Sequence, residues 1–184
     1  MKALRQLVVL VFAIAFVSPA VAQDKKVFVF EGSQSCKKCH LTKKSGAAFK
    51  IWEGSKHAQA YTTLGTEEAK AIAKKMGIED PQKSDKCLSC HVTAHGVDAK
   101  RLGAKFSITE GVGCEACHGP GSEYNNKEIK EAVVAGKMDA KAVGLIVAPT
   151  EADCKACHNE KSPTYKPFKF EEAMKQIAHP TPKE

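Results

Sequence analysis

The feature that most constrains this chain is a five-residue motif, Cys-x-x-Cys-His, which occurs four times and uses all eight cysteines of the sequence. Two thiols at this spacing can add to the two vinyl groups of a haem, and the adjacent histidine then lies under the ring as an iron ligand. The motifs therefore predict four covalently bound haem c groups. The predicted attachment residues are Cys36, Cys39, Cys87, Cys90, Cys114, Cys117, Cys154 and Cys157, and the predicted proximal ligands are His40, His91, His118 and His158.

Three other uses of paired cysteines fit the motif less well. Disulfides are common in exported proteins, but they give no reason for a histidine after every pair. Zinc sites also use Cys-x-x-Cys, yet four copies would supply a surplus of ligands. A thioredoxin-like redox pair would be expected once, within an α/β pattern. Haem attachment is the reading that accounts for both the cysteines and the histidines.

The N-terminus carries the pattern of a secretory signal peptide. Lys2 and Arg5 precede an apolar run, which ends at the small-residue site Ala20-Val21-Ala22. An uncleaved membrane anchor is the alternative, but the run is shorter than the ~20 apolar residues that span a bilayer. We therefore expect residues 1–22 to be removed and residues 23–184 to form one tetrahaem domain with no stable membrane insertion. Export predicts a periplasmic protein, with an extracellular one as the alternative.

The net charge of +7 does not by itself indicate a nucleic-acid partner. The lysines are scattered along the chain, and export separates the protein from nucleic acid. Redox proteins are the expected partners, and the sequence identifies neither the donor nor the acceptor.

The motifs begin 51, 27 and 40 residues apart, so the chain is not built from a regular repeat. With about 40 residues of mature chain for each haem, the apolar porphyrin faces would supply much of the core. The fold class expected is mainly α, with short helices and irregular loops packed around four haems and minimal β structure.

Local patterns predict several elements. Residues 27–30 and 105–108 suggest short extended segments or strands, and residues 43–63 are mostly helical in pattern. Thr150 and Asp153 resemble a capping box that would begin the helix carrying the fourth motif. Glycines around the third motif would let backbone approach a porphyrin face. The remaining predicted helices are 67–76, 128–135 and 170–179, and the glycines are Gly111, Gly113, Gly119 and Gly121.

Three histidines lie outside the motifs and are the candidates for distal iron ligands: His57, His95 and His179. Four irons thus compete for three further imidazoles. His95 follows His91 by four residues, which would put both on one helix face, so His95 is expected to serve a neighbouring haem. A solvent-exposed position is the alternative for each histidine. Methionine sulfur or a histidine from a second copy of the chain could also serve, the latter through self-association; the methionines are Met76, Met138 and Met174.

The sequence resembles the tetrahaem cytochrome c-554 family. The resemblance rests on "IWEGSKHAQAY", which contains His57, on "GVGCEACHGPG" around the third motif, and on "FKFEEAMKQIAH", which ends at His179. The four motifs occur in the same order as in the family. The resemblance implies an exported, mainly helical electron carrier with closely stacked haems. It also implies that His57 and His179 are distal ligands and that the second haem is five-coordinate.

The resemblance leaves the second haem without a distal ligand, so the three imidazoles are assigned to the other three haems by elimination. His57 is then expected on the third haem, His179 on the fourth and His95 on the first. Two other functions stay open at this stage. A five-coordinate haem could make the chain a reductase of a small nitrogen oxide, and incomplete coordination could make it a subunit of an extracellular haem filament.

Overall fold

The computed structural model describes residues 26–180, so the predicted signal peptide and its cleavage site lie outside the described residues. This part of the chain is mainly helical, as the sequence predicts, with short helices separated by turns and loops. Within it the α-helices are α1 (Ser33–His40), α2 (Ala48–Glu53), α3 (Ala60–Thr63), α4 (Glu67–Lys75), α5 (Asp85–His91), α6 (Cys114–His118), α7 (Lys127–Val134), α8 (Glu151–Lys155) and α9 (Phe170–Ile177). No helix among the described residues is long and apolar enough to cross a membrane.

The predicted extended segment at 27–30 is confirmed, but it pairs only through one residue. Phe30 forms a parallel bridge with Leu102. The backbone N–H of Phe30 donates to the carbonyl of Arg101 at 2.8 Å, and that of Gly103 donates to the carbonyl of Phe30 at 2.8 Å. The strand suggested for 105–108 is wrong, because a 3₁₀ turn begins at Ile108 and the residues before it form turns or loop.

Helix α4 is the clearest case of local sequence dictating structure. The Thr66 hydroxyl caps its N-terminus by accepting from the N–H of Ala69, and acidic residues fill the first turn while lysines fill the last. Both arrangements favour the helix through capping and the macrodipole. The C-cap is Met76, and the next residue, Gly77, has the left-handed φ of +69 that turns the chain away from the helix.

The helical pattern of 43–63 is only partly realised. A 3₁₀ turn at Lys43–Ser45 is followed by α2 and α3, which are separated by a run of turns. Ala47, with φ +50, stands at the start of α2 and breaks the continuity. A second break, the run of turns over residues 54–59, places His57 between α2 and α3 and not on a helix.

Few apolar side chains are buried among the described residues. The largest cluster joins Leu64, Leu88 and Val92 where α3 packs against α5. Phe49 is the largest fully buried side chain, and α2 packs against α1. The buried apolar residues are Phe49, Leu64, Ala73, Leu88, Val92 and Val143, a small core that suits a chain organised around large apolar cofactors.

The C-terminal elements follow the sequence closely but end earlier. The capping box of Thr150 and Asp153 is present and starts α8, which ends at Lys155, before His158. Helix α9 begins at Phe170 as predicted and ends at Ile177. His179 therefore lies in the extended segment after the helix.

Candidate haem-binding site

Three of the four motifs occupy the ends of helices. Helices α1, α5 and α6 each finish at the motif histidine: His40, His91 and His118. A helix places a cysteine and the residues three and four positions later on one side, which brings the second thiol and the imidazole together. The fourth motif begins in α8, and His158 lies in the turn that follows.

Two motif histidines have their Nδ1 atoms hydrogen-bonded to backbone carbonyls. The Nδ1 of His91 lies 2.7 Å from the carbonyl oxygen of Ala60, and that of His118 lies 2.8 Å from the carbonyl of Ile146. A ring that donates from Nδ1 holds its Nε2 lone pair ready for a metal, and the hydrogen bond makes that nitrogen more basic. These contacts orient both rings as proximal ligands require.

Two pairs of imidazoles face each other at a distinctive distance. The ring centres of His57 and His158 are 6.0 Å apart, and those of His118 and His179 are 5.8 Å apart. Two imidazoles on opposite sides of one iron would have centres about 6 Å apart, since each metal–nitrogen bond is about 2 Å and each nitrogen lies about 1 Å from its ring centre. At this spacing, the imidazoles of each pair would be able to hold a haem iron together.

The ring contacts differ from the pairing assigned by elimination. His57 faces the fourth motif and His179 faces the third, which is the reverse of the sequence-based assignment. The reason is tertiary: the N–H of Val112 holds the carbonyl of His57, and the ring of His57 lies beside that of His158. The C-terminal segment then returns to His118.

The electrostatics favour neutral imidazoles, the form that binds metal. Burial, and then the neighbouring His158, lowers the pKa of His57. Burial also lowers the pKa of His40, followed by the positive charge of Lys130. Each ring therefore keeps its lone pair at neutral pH.

His95 does not lie where the sequence argument put it. Helix α5 ends at His91, Val92 is extended, and Ala94 takes φ +55, so His95 is not one helical turn after His91. Its Nε2 lies 3.0 Å from Oδ1 of Asp85, which is 93% exposed. The ring lines a cavity of about 290 Å³ beside Cys90 and Cys157. This geometry gives no support to a bond between His95 and the iron of His40.

The segment before the third motif connects the regions that carry the other histidines. The indole N–H of Trp52 donates to the carbonyl of Val112 at 2.8 Å, and the N–H of Val112 donates to the carbonyl of His57 at 2.9 Å. Gly111 packs so closely that a Cβ there would lie 2.6 Å from the His57 carbonyl oxygen. His57 is thereby held at a fixed place relative to the third motif.

The same segment is bonded to the first and second motifs. The N–H of Gly113 donates to the hydroxyl of Thr93 at 2.7 Å, two residues after His91. The N–H of Cys114 donates to the hydroxyl of Ser33, at the start of α1. The glycines around the third motif, which were predicted to approach a porphyrin face, lie against protein atoms: Gly111 meets His57, Gly113 meets Ser33, Gly119 meets Gly144 and Gly121 meets Glu115.

Glu115, between the two cysteines of the third motif, is a structural residue that the sequence argument missed. Its side chain is 4% exposed and accepts three backbone N–H bonds, from Glu31 at 2.8 Å, Gly32 at 2.8 Å and Gly121 at 2.6 Å. Burial raises the pKa of the carboxyl group, and the three donors oppose that effect. The sequence signal for this role was an acidic residue within a motif that glycines flank on both sides.

The thiols of different motifs lie close to one another. Cys36 and Cys114 are neighbours, and the contact with Cys114 raises the pKa of Cys36. Burial, with neighbouring Cys90, raises the pKa of Cys157 to about 11. The first motif therefore adjoins the third, and the second adjoins the fourth. Burial and then the nearby Cys154 also raise the pKa of Cys117, so the third and fourth motifs are neighbours as well.

The structure does not favour the other uses of the cysteines, disulfide bonds and zinc binding. None of the eight cysteines is paired in a disulfide. Within residues 26–180, no three His, Cys, Asp or Glu side chains converge into a metal site. Cysteine pairs at haem-attachment spacing, oriented imidazoles and a small apolar core fit covalent haem, and together they define a multihaem c-type cytochrome.

Comparison with known proteins agrees with that class. The family described as "Cytochrome c554 and c-prime" matches residues 35–119. The cytochrome c-554 of Nitrosomonas europaea is 30% identical over 176 residues, covering 80% of this chain and 73% of that protein. The solved structure of reduced cytochrome c554 from the same organism superimposes with a TM-score of 0.52 at 28% identity, covering 82% of this chain and 79% of that one.

The chain belongs to the cytochrome c554 family, whose members are multihaem c-type cytochromes involved in electron transfer. Covalently bound haem c is therefore its cofactor, and the mainly helical fold expected from the sequence is confirmed.

Proposed function

We propose that the mature chain, residues 23–184, is a periplasmic tetrahaem cytochrome that passes electrons between two redox proteins. The observation that carries the proposal is the two pairs of neighbouring imidazoles, His57 with His158 at 6.0 Å and His118 with His179 at 5.8 Å. Bound haem would supply iron centres that take up and release single electrons. The eight cysteines and the four motif histidines would hold the four groups.

The chain's own contribution is to fix the iron ligands. Carbonyls of Ala60 and Ile146 orient the rings of His91 and His118, and Phe168 stacks on His158 with ring centres 4.7 Å apart. Rings fixed in this way need little rearrangement when the charge on the metal changes. Fast, reversible electron transfer depends on such preorganised surroundings.

The order of the motifs in space supports a path through the molecule. The contacts of Cys36 with Cys114, and of Cys90 with Cys157, adjoin the first motif to the third and the second to the fourth. Cys117 near Cys154 joins the two pairs. Donor and acceptor proteins would then dock at different ends of this series.

Intact mass and redox titration of the exported protein test the proposal. The mass should equal a chain beginning at Gln23 with four haem additions, and a spectroelectrochemical titration should consume four electrons per molecule. Recovery in the periplasmic fraction should accompany both results. Three haems, free thiols, or retention of the N-terminal segment would contradict it.

A second candidate function follows from His91, which faces no second imidazole among the described residues. An open position at the second iron would allow a small nitrogen oxide to bind, as a reductase would need. Titration with nitric oxide, followed by a turnover assay with an artificial electron donor, separates the two functions. Binding with no turnover favours the carrier.

A further inference from the structure

The surface around the first motif carries an unbalanced positive charge. Helix α1, the turn after it and α2 span residues 33–53 and hold a single acidic residue, Glu53. The same stretch holds five lysines, all exposed, and none of them forms an ion pair with another described residue. These lysines are called the basic face: Lys37, Lys38, Lys43, Lys44 and Lys50.

Other helices of the protein neutralise their lysines locally. Lys70 of α4 lies 2.8 Å from Glu67, and Lys155 of α8 lies 2.7 Å from Glu151. Such pairs are spaced three or four residues apart on one helix side, and α1 offers no acidic residue at that spacing. The positive charge of the basic face is therefore available to a partner.

The basic face is held on a fixed piece of backbone. Helices α1 and α2 pack together, and the Nζ of Lys37 lies 5.0 Å from the centre of the buried Phe49 ring. In the turn between them, the N–H of Ala47 donates to the carbonyl of Thr42 at 2.8 Å. The two lysines of this turn thus keep a fixed place between the helices.

The lysines accompany the motif cysteine that is most open to solvent. Cys39 is exposed, whereas the other seven cysteines are half-buried. Lys37 and Lys38 stand between the two cysteines of the same motif. A haem bonded at Cys39 would have part of its edge near the surface, where a partner bound to these lysines could exchange electrons with it.

The first motif also stands at one end of the series of motifs, since α1 packs against α6 of the third motif and the second motif adjoins the fourth. Charges around the second motif, at the other end, are balanced. Asp80 pairs with Lys83 at 3.1 Å, and the exposed Asp85 and Lys86 add one charge of each sign. The two ends therefore differ in charge and can select different partners.

We propose that the basic face is the docking surface for one of the two redox partners, a protein that presents a cluster of carboxylates. The proposal rests on the proposed function, because it requires electron transfer through the first haem. Opposite charges speed the encounter of two proteins, and weak electron-transfer complexes bury little surface. An anionic membrane would also attract lysines, but lasting attachment takes apolar insertion in addition. The large exposed apolar side chains of the described part of the chain all lie outside residues 33–53.

The test uses the purified holoprotein and reduced plant-type ferredoxin, an acidic electron-transfer protein of low potential. Stopped-flow absorbance gives the second-order rate constant of haem reduction, which should fall steeply as ionic strength rises. Lys43→Glu/Lys44→Glu should lower this constant by about tenfold or more at low salt. The control Lys74→Glu/Lys75→Glu makes the same change of net charge at two exposed lysines of α4 and should lower it by less than about threefold. Equal losses in the two double variants, or a rate independent of salt, would overturn the proposal.

Cross-linking tests the surface without any variant. A carbodiimide joins lysines directly to carboxylates, and mass spectrometry of the peptides from the complex of unmodified protein with ferredoxin locates the bonds. Most should fall on the lysines of residues 37–50; if most fall elsewhere, the basic face is not the docking surface.

Vesicles containing phosphatidylglycerol test the membrane as the occupant. The holoprotein should bind them no better than Lys43→Glu/Lys44→Glu does. Vesicle binding that this variant abolishes, with an unchanged ferredoxin rate, would assign the face to a membrane and sink the proposal. A haem count below four, or haems that dithionite does not reduce, would instead contradict the proposed function.

Discussion

The four motifs are identical in sequence pattern, yet the structure divides them into two groups. His118 and His158, of the third and fourth motifs, each face a second imidazole about 6 Å away, at 5.8 and 6.0 Å. His40 and His91, of the first and second motifs, face none among the described residues. Those two facing imidazoles, His57 and His179, come from parts of the chain remote in sequence from the motifs they meet.

The difference teaches that a proximal ligand and a distal ligand are specified differently. The proximal histidine is fixed by covalent spacing, because it adjoins the second cysteine of its own motif. The distal histidine is brought by packing and hydrogen bonds elsewhere in the fold. Ligation, and with it the redox potential of each site, can therefore vary among motifs that read alike.

The largest expected effect is the loss of a distal imidazole. His57→Ala and His179→Ala should each turn one low-spin haem high-spin, because each removes a ring that faces a motif histidine. Electron paramagnetic resonance of the oxidised protein measures the change, with haem content checked by mass. His95→Ala is the matched control and should leave the spin count as it was. A change with His95→Ala, or none with the other two, would break the comparison.

The pairing itself can be sharpened with Phe168, which stacks on His158. Phe168→Ala should shift the g values of the same low-spin signal that His57→Ala abolishes. The signal abolished by His179→Ala should not move. If Phe168→Ala instead perturbs the His179-dependent signal, His57 and His158 do not share an iron.

Loss of the Glu115 carboxylate should destabilise the fold clearly. Glu115→Gln replaces one acceptor oxygen with an N–H₂ group that would face backbone donors, at a cost of about 2 kcal/mol in the free energy of unfolding. Denaturant titration followed by far-ultraviolet circular dichroism measures it. The control is Glu123→Gln, which breaks a surface pair with Lys26 and should cost less than about 0.5 kcal/mol. Equal effects of the two variants would show that the buried contacts of Glu115 add nothing.

Gly111 tests how His57 is held in place. It has φ +70, and an added Cβ would lie 2.6 Å from the His57 carbonyl oxygen. Gly111→Ala should cost about 2–3 kcal/mol and weaken the low-spin signal that depends on His57, because backbone strain and a clash act together. Gly136→Ala is the control, since φ is +67 but nothing lies within 4 Å of the new Cβ. It should cost about 1 kcal/mol and leave the haem spectrum alone.

The smallest effect concerns the capping box of the fourth motif. Thr150→Ala removes the acceptor for the N–H of Asp153, and helix α8 should lose about 1 kcal/mol. Thr164→Ala, on an exposed loop, should stay within about 0.5 kcal/mol of the unmodified protein. Thermal unfolding of the two variants gives the comparison. A similar melting temperature for both would mean that covalent attachment at Cys154 makes the cap redundant.

The sequence by itself determined the attachment pattern and most helices with strong local signals. Four Cys-x-x-Cys-His motifs indicate covalent haem because the chemistry needs only five consecutive residues. Helix α4 and the cap at Thr150 were predicted for the same reason, since capping and helix propensity act over a single turn. Assignments that assumed a regular helix failed. His95 was expected on the helix face of His91, but the backbone turns away after α5.

Only the tertiary structure decided which imidazole faces which motif. The positions of His57 and His179 depend on hydrogen bonds and close contacts between segments far apart in sequence, such as Val112 with the His57 carbonyl. The buried carboxylate of Glu115 is likewise bonded to backbone far from it in sequence. No local pattern encodes such relations, because they arise from the packing of many short elements and not from the order of residues within one. The choice of a partner for each iron is therefore a property of the fold.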